Sequence, residues 1–133
     1  MRKGVILGAL NEHKGLRIVE KMLPLFSKGN ISIVHIGSVI GDAKLKMKST
    51  GVYNEKDVID LIDNQAPDFI WLPSVAEETY SFTLSEALAT KYPIFVNNVG
   101  SLPERARQNE AVAVIDVGKT PQNIFEQMLE YLQ

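Results

Sequence analysis

Short apolar runs rich in β-branched and aromatic residues recur along this chain, separated by stretches of helical period. The runs are Val5-Ile6-Leu7, Ile31 to Ile36, Phe69 to Leu72, Ile94-Phe95-Val96 and Val112 to Ile115. Near-continuous hydrophobicity over so few residues suits strands buried on both faces, as in a parallel sheet covered by helices. Between the runs, Ile18, Val19, Met22, Leu23 and Phe26 share one helical face, with Pro24 expected to kink or end that helix. Asn54 is positioned to cap a helix whose inner face is Val58, Leu61 and Ile62. Thr120 followed by Pro121 is a start signal for a helix burying Ile124, Phe125, Met128, Leu129 and Leu132. Residues 37–51 break the rhythm and predict a surface loop with a short edge strand. The alternation predicts an α/β, Rossmann-like, doubly wound and mostly parallel sheet with helices on both faces. With 133 residues, the expectation is one domain spanning 1–133.

Composition narrows the function. The apolar share of 45% and charged share of 23% are those of a globular protein. Fourteen Lys and Arg against sixteen Asp and Glu give no broad electrostatic reason to bind nucleic acid or an anionic membrane. The absence of Cys removes disulfides, zinc-thiolate and iron–sulfur sites and thiol nucleophiles, and suits a reducing compartment. No apolar run approaches the roughly 20 residues of a membrane span, and MRKGVILGALNEHKG turns polar too early for a signal peptide. The expected setting is cytoplasmic.

In open α/β sheets ligands bind at the carboxyl ends of the strands, where the strand order reverses. The polar and Gly-rich segments fall there: 8–15, 37–42, 73–81 and 97–104. The dinucleotide signature G-x-G-x-x-G is missing after the first strand, and a P-loop occurs nowhere. The first strand also ends without the acidic residues of a phospho-acceptor domain. His13 and His35 are the only histidines, so no Ser-His-Asp or His-metal set can be built, and His35 reads as a satisfied sheet residue. Trp71 reads as core, and Lys44, Lys46 and Lys48 as a solvated strip.

The segment from Pro73 to Pro93, PSVAEETYSFTLSEALATKYP, leaves a strand, crosses a polar loop and enters a helix near Ser81. A helix N-terminus offers unpaired N–H groups and partial positive charge to a phosphate. Glu78 precedes that terminus, and Glu86 lies about 7–8 Å along the axis beyond Ser81. Carboxylates repel phosphates but accept hydrogen bonds from sugar hydroxyls on either side of them. An isolated pair at this spacing can equally be a solvated loop residue and an ordinary surface glutamate.

The pair is not isolated. Pro73-Ser74, Glu78, Glu86, Ala87-Leu88-Ala89 and Pro93 resemble the signature of retaining nucleotide-sugar glycosyltransferases of the GT-B fold (group 1, or family 4, type), in their C-terminal donor-binding domain. Gly100-Ser101-Leu102-Pro103-Glu104 resembles the Gly-Gly-x-Pro-Glu element of those enzymes. Gly8-Ala9-Leu10-Asn11-Glu12-His13-Lys14-Gly15 resembles their Gly-Arg-x4-Lys-Gly loop. The likeness runs in order from Val5 to about Ile115.

The resemblance implies a donor half that helps move a hexose from a nucleoside-diphosphate sugar to an acceptor hydroxyl. Glu78 would contact the donor sugar as the catalytic candidate, and Glu86 the ribose hydroxyls. Backbone amides of Tyr80, Ser81 and Phe82 would reach sugar and diphosphate, and Lys14 would bind the diphosphate as a point charge. Gly51, Val52 and Tyr53 would frame the nucleobase. No cofactor or metal is implied. Such enzymes carry the acceptor site on a second, N-terminal domain that this chain lacks, so the isolated chain is expected to be inactive. Three positions depart from the pattern. Ala9 replaces an arginine, and Ser81 and Ser101 replace glycines. They support an alternative, a catalytically degenerate donor-like domain that serves as a binding or interaction module.

Overall fold

The computed structural model describes residues 1–12, 14–41, 45–75, 82–99 and 109–133, with the backbone alone at Phe82. Strand β1 is Arg2–Leu7, followed by α1 (Leu16–Lys28), β2 (Ile31–Ile36) and the two-residue β3 (Lys48–Ser49). A 3-10 turn at Glu55–Asp57 leads into α2 (Val58–Gln65) and β4 (Phe69–Leu72). Then come α3 (Phe82–Leu88), β5 (Ile94–Asn97), β6 (Val112–Ile115) and α4 (Pro121–Leu132). The six strands form one sheet in the order β3-β2-β1-β4-β5-β6, and every pairing is parallel.

Side-chain alternation divides the core in two. Ile6, Phe69, Trp71 and Phe95 point to one face, where they meet Leu16, Val19, Met22 and Phe26 of α1 and Ile124, Phe125 and Met128 of α4. Val5, Leu7, Ile70, Leu72, Ile94 and Val96 point to the other, against Val58 and Ile62 of α2 and Leu84 and Ala87 of α3. This two-sided burial is why the strand sequences read as unbroken apolar runs. The first face is aromatic: Phe26 meets Trp71 edge-on at 6.0 Å, and Phe69 lies 5.1 Å from Phe95 between ring centroids.

The local start signals hold. Asn54 accepts from the amide of Lys56 at 3.3 Å, capping the 3-10 turn that feeds α2. Thr120 accepts from the amide of Asn123 at 3.2 Å, with Pro121 in the first turn of α4. The irregular segment after β2 yields the expected edge strand, β3. Of the two outcomes expected at Pro24, a kink or an end, the end does not occur, because α1 runs on to Lys28. Pro24 sits on the exposed side of the helix, where its ring and missing N–H cost least. Met22 and Phe26, flanking it on the inner side, are buried against the sheet and hold the helix in place.

Candidate functional site

The order 3-2-1-4-5-6 reverses direction between β1 and β4, whose chains depart toward β2 and β5 respectively. Such a reversal opens a crevice at the carboxyl end of the sheet. Three loops converge on it. After β1, the amide of Gly8 bonds the Ile36 carbonyl at 2.9 Å and that of Leu10 bonds Ser38 at 2.8 Å, which keeps the β1 and β2 exits side by side. Gly8 has φ +103°, and a Cβ there would press on the Thr83 methyl at 2.9 Å. The small residue thus lets α3 approach the end of β1.

Lys14 lies in the turn before α1, where its amide bonds the Asn11 side chain at 2.9 Å and the Asn11 carbonyl at 3.1 Å. The next residue, Gly15, opens α1 with φ +86° and rests directly on the main chain of Pro73, where no Cβ fits. The turn carrying Lys14 is therefore docked on the loop leaving β4. Partial burial pulls the Lys14 ammonium pKa below its ordinary value.

Two buried polar groups brace these loops from beneath. His35 is fully buried; its Nε2–H donates to the Gly8 carbonyl at 2.6 Å, and Nδ1 accepts from the Ser49 hydroxyl at 2.8 Å. Burial lowers its pKa, against the opposing pull of the Gly8 carbonyl, and favours the neutral ring. Asn97, also fully buried, accepts from the Trp71 indole at 3.0 Å and donates to the Ser74 carbonyl at 2.9 Å. It ties the first residues of the loop after β4 to β5.

A cavity of about 280 Å³ opens between these loops, lined by Gly8, Ala9, Gly37, Ser38, Val52, Tyr53, Glu55, Thr83 and Glu86. Four of the sequence-derived positions meet here: Ala9, Val52, Tyr53 and Glu86. Gly51 adjoins them, its amide bonded to Gly37 at 2.9 Å, and Val52 is 91% exposed, an apolar rim. The Tyr53 hydroxyl donates to Glu86 Oε1 at 3.3 Å. Desolvation, then the nearby Glu86 charge, pushes the Tyr53 phenol up to about 12. Desolvation also raises the Glu86 carboxyl; the Tyr53 hydrogen bond opposes that rise and the Glu55 charge adds to it. The result is a half-buried acceptor held, among the described residues, by the Tyr53 hydroxyl.

Lys14 lies outside this wall, in the turn on Pro73. The backbone of Phe82 begins α3, whereas Glu78, Tyr80 and Ser81, like His13, Lys44 and residues 100–104, lie outside the described residues. Lys46 and Lys48 are exposed, and Trp71 is core, as read from the sequence. Sequence reasoning missed Glu55, Thr83 and the Tyr53–Glu86 hydrogen bond. Glu55 carried a usable signal, since it follows the Asn54 cap and so starts a turn.

No family model and no curated protein matches the chain. Solved structures do. The C-terminal domain of a glycosyl transferase group 1 family protein, LpcC of Francisella tularensis, superposes with a TM-score of 0.67 at 18% identity, over 98% of this chain and 75% of that one. Anabaena HepE in complex with UDP gives 0.69 at 17%, over 96% of this chain and 40% of that one. The HepE complex with UDP-glucose gives 0.66 at 16%, over 95% and 39%. The chain thus spans about two fifths of HepE. Among the described residues no helix is long and apolar enough to cross a membrane. The all-parallel sheet, its strand order and these superpositions together give the chain the fold of the C-terminal, Rossmann-like domain of GT-B glycosyltransferases.

Proposed function

We propose that this domain binds a nucleoside-diphosphate sugar and forms the donor half of a retaining glycosyltransferase that moves a hexose to an acceptor hydroxyl. The observation that carries the reading is the position of Glu86, a half-buried acceptor lining a crevice at the strand-order reversal. The likeness to HepE, solved with UDP and with UDP-glucose, supports it and nominates uridine as the first base to test.

In this reading the ribose hydroxyls donate to Glu86, and the base lies toward Val52 and Tyr53. The diphosphate extends toward Lys14 and the backbone of Tyr80, Ser81 and Phe82, where a lysine supplies a point charge. Glu78 contacts the sugar. The acceptor site belongs to a second domain, so the chain alone binds donor without transferring sugar. Calorimetry with UDP, GDP, ADP and UDP-glucose tests the reading. Micromolar to millimolar binding of at least one is expected, and no binding to any would overturn it.

A second reading is favoured by one observation. Ala9, where the resembling enzymes carry an arginine, lines the crevice. A domain that has lost the grip of a guanidinium on the phosphates would serve as a binding module. Its signature would be nucleotide binding in which the diphosphate adds nothing over the nucleoside.

A further inference from the structure

Resting on that donor-binding reading, the geometry points to Tyr53 as a positioning residue: its hydroxyl pins one oxygen of Glu86 so that the carboxylate meets the ribose diol already oriented. The two residues are 33 positions apart in sequence, one in the loop before the 3-10 turn and one on α3. The Tyr53 ring packs against the aliphatic core cluster that includes Val58 and Ile62 of α2, which leaves its hydroxyl a fixed donor at the cavity wall. Glu86 projects from α3 into the same wall. A glutamate is otherwise a rotamer-rich side chain, and immobilising it beforehand removes a cost that the ligand would have to meet on binding.

One hydrogen bond uses only part of the acceptor capacity of a carboxylate, which has two oxygens and about four lone-pair sites. A diol with two adjacent hydroxyls can therefore bond Glu86 while Tyr53 remains in place. The same bond has a second effect. The Tyr53 hydroxyl bonds a carboxylate more strongly than a neutral carboxyl, so it favours the charged acceptor that sugar hydroxyls require. Glu55 acts in the opposite sense, its charge disfavouring ionisation of Glu86. Among the described residues that line this crevice, Tyr53 and Glu55 are the titratable groups facing Glu86.

Tyr53→Phe keeps the ring in the core and removes only the donor. Calorimetry at neutral pH should show UDP binding about three- to tenfold weaker in the variant, the effect expected from mobilising one rotamer-rich side chain. 2′-Deoxy-UDP should lose less, so the preference for UDP over 2′-deoxy-UDP narrows. Titrations of UDP-glucose from pH 4.5 to 8 should show affinity falling on the acid side as Glu86 protonates, with the midpoint at higher pH in Tyr53→Phe than in the wild type. Glu86→Gln should abolish that acid fall. Unchanged UDP affinity and an unchanged midpoint in Tyr53→Phe would overturn the role of Tyr53 while leaving donor binding intact. An acid fall that persists in Glu86→Gln would overturn it as well. A wild-type chain that binds neither UDP nor UDP-glucose would instead bring down the donor-binding reading and this role with it.

Discussion

Gly15 lies directly against the main chain of Pro73, with no space between them for a Cβ. This contact joins the turn that carries Lys14 to the first residue after β4, and so fixes how the β1 and β4 exits sit against each other. Gly15→Ala meets both a left-handed backbone (φ +86°) and a filled space. It should destabilise the domain by about 2–5 kcal/mol, the sum of about 1–2 for the backbone and about 1–3 for overpacking. Urea unfolding measures this directly. A loss within 0.5 kcal/mol, about the scale of an ordinary surface substitution, would mean the two loops are not in contact.

The two glutamates should separate by ligand. Glu86→Ala should weaken UDP and UDP-glucose alike, by about 1.5–3 kcal/mol for a charged acceptor. Glu78→Ala should weaken UDP-glucose and spare UDP. Calorimetry with both ligands and both variants checks the assignment, and equal losses throughout would contradict it.

Ala9 is exposed on the crevice wall, where a longer side chain has room. Ala9→Arg should gain about 1–3 kcal/mol for UDP through bidentate contact with phosphate oxygens. The gain should be much smaller for uridine and should shrink as salt is added. An unchanged UDP affinity would favour the binding-module reading.

Asn97→Ala strips a partner from two buried groups at once, the Trp71 indole N–H and the Ser74 carbonyl. The expected cost is about 1.5–4.5 kcal/mol, about 1–3 for the unsatisfied indole and about 0.5–1.5 for the bond lost to Ser74. Chemical denaturation of the two proteins settles the figure.

His35 makes stability depend on pH in a defined window. Its folded pKa is lowered, so the unfolded chain takes up a proton first as pH falls. The contribution is fully present above about pH 6.5, the ordinary histidine value, and is lost as pH drops from there toward the folded pKa. The slope within that window reaches at most about 1.4 kcal/mol per pH unit. Denaturation of the wild type and His35→Gln between pH 5 and 8 should show this fall in the wild type alone.

What the sequence revealed, and what it withheld, follows the range of the forces involved. The apolar runs and the caps at Asn54 and Thr120 were legible because burial period and capping act over a few residues. Pro24 left open whether α1 kinks or ends there; it does not end, because Met22 and Phe26 answer to a sheet assembled from distant strands. Tyr53 was found as a loop residue, but its hydroxyl meets Glu86 only once α3 has docked beside β1. His35 was read as satisfied, yet its partners Gly8 and Ser49 depend on the β1–β2–β3 register. Asn97 was read as the start of a polar loop, whereas it ends β5 fully buried, because its partners Trp71 and Ser74 come from another strand and have no sequence spacing that reveals them.

Trp71 is the only tryptophan in the chain, and it is wired through Asn97 to the carbonyl of Ser74, at the root of the loop after β4. Its indole is wholly shielded from solvent and lies edge-on to Phe26, on the sheet face opposite Glu86. Emission from this one fluorophore is therefore insensitive to a base stacking in the crevice, but it is coupled to any shift of the backbone at Ser74. The protein carries a built-in, label-free optical gauge of that loop, one that distinguishes a ligand settling into a fixed site from a ligand that drags the loop with it.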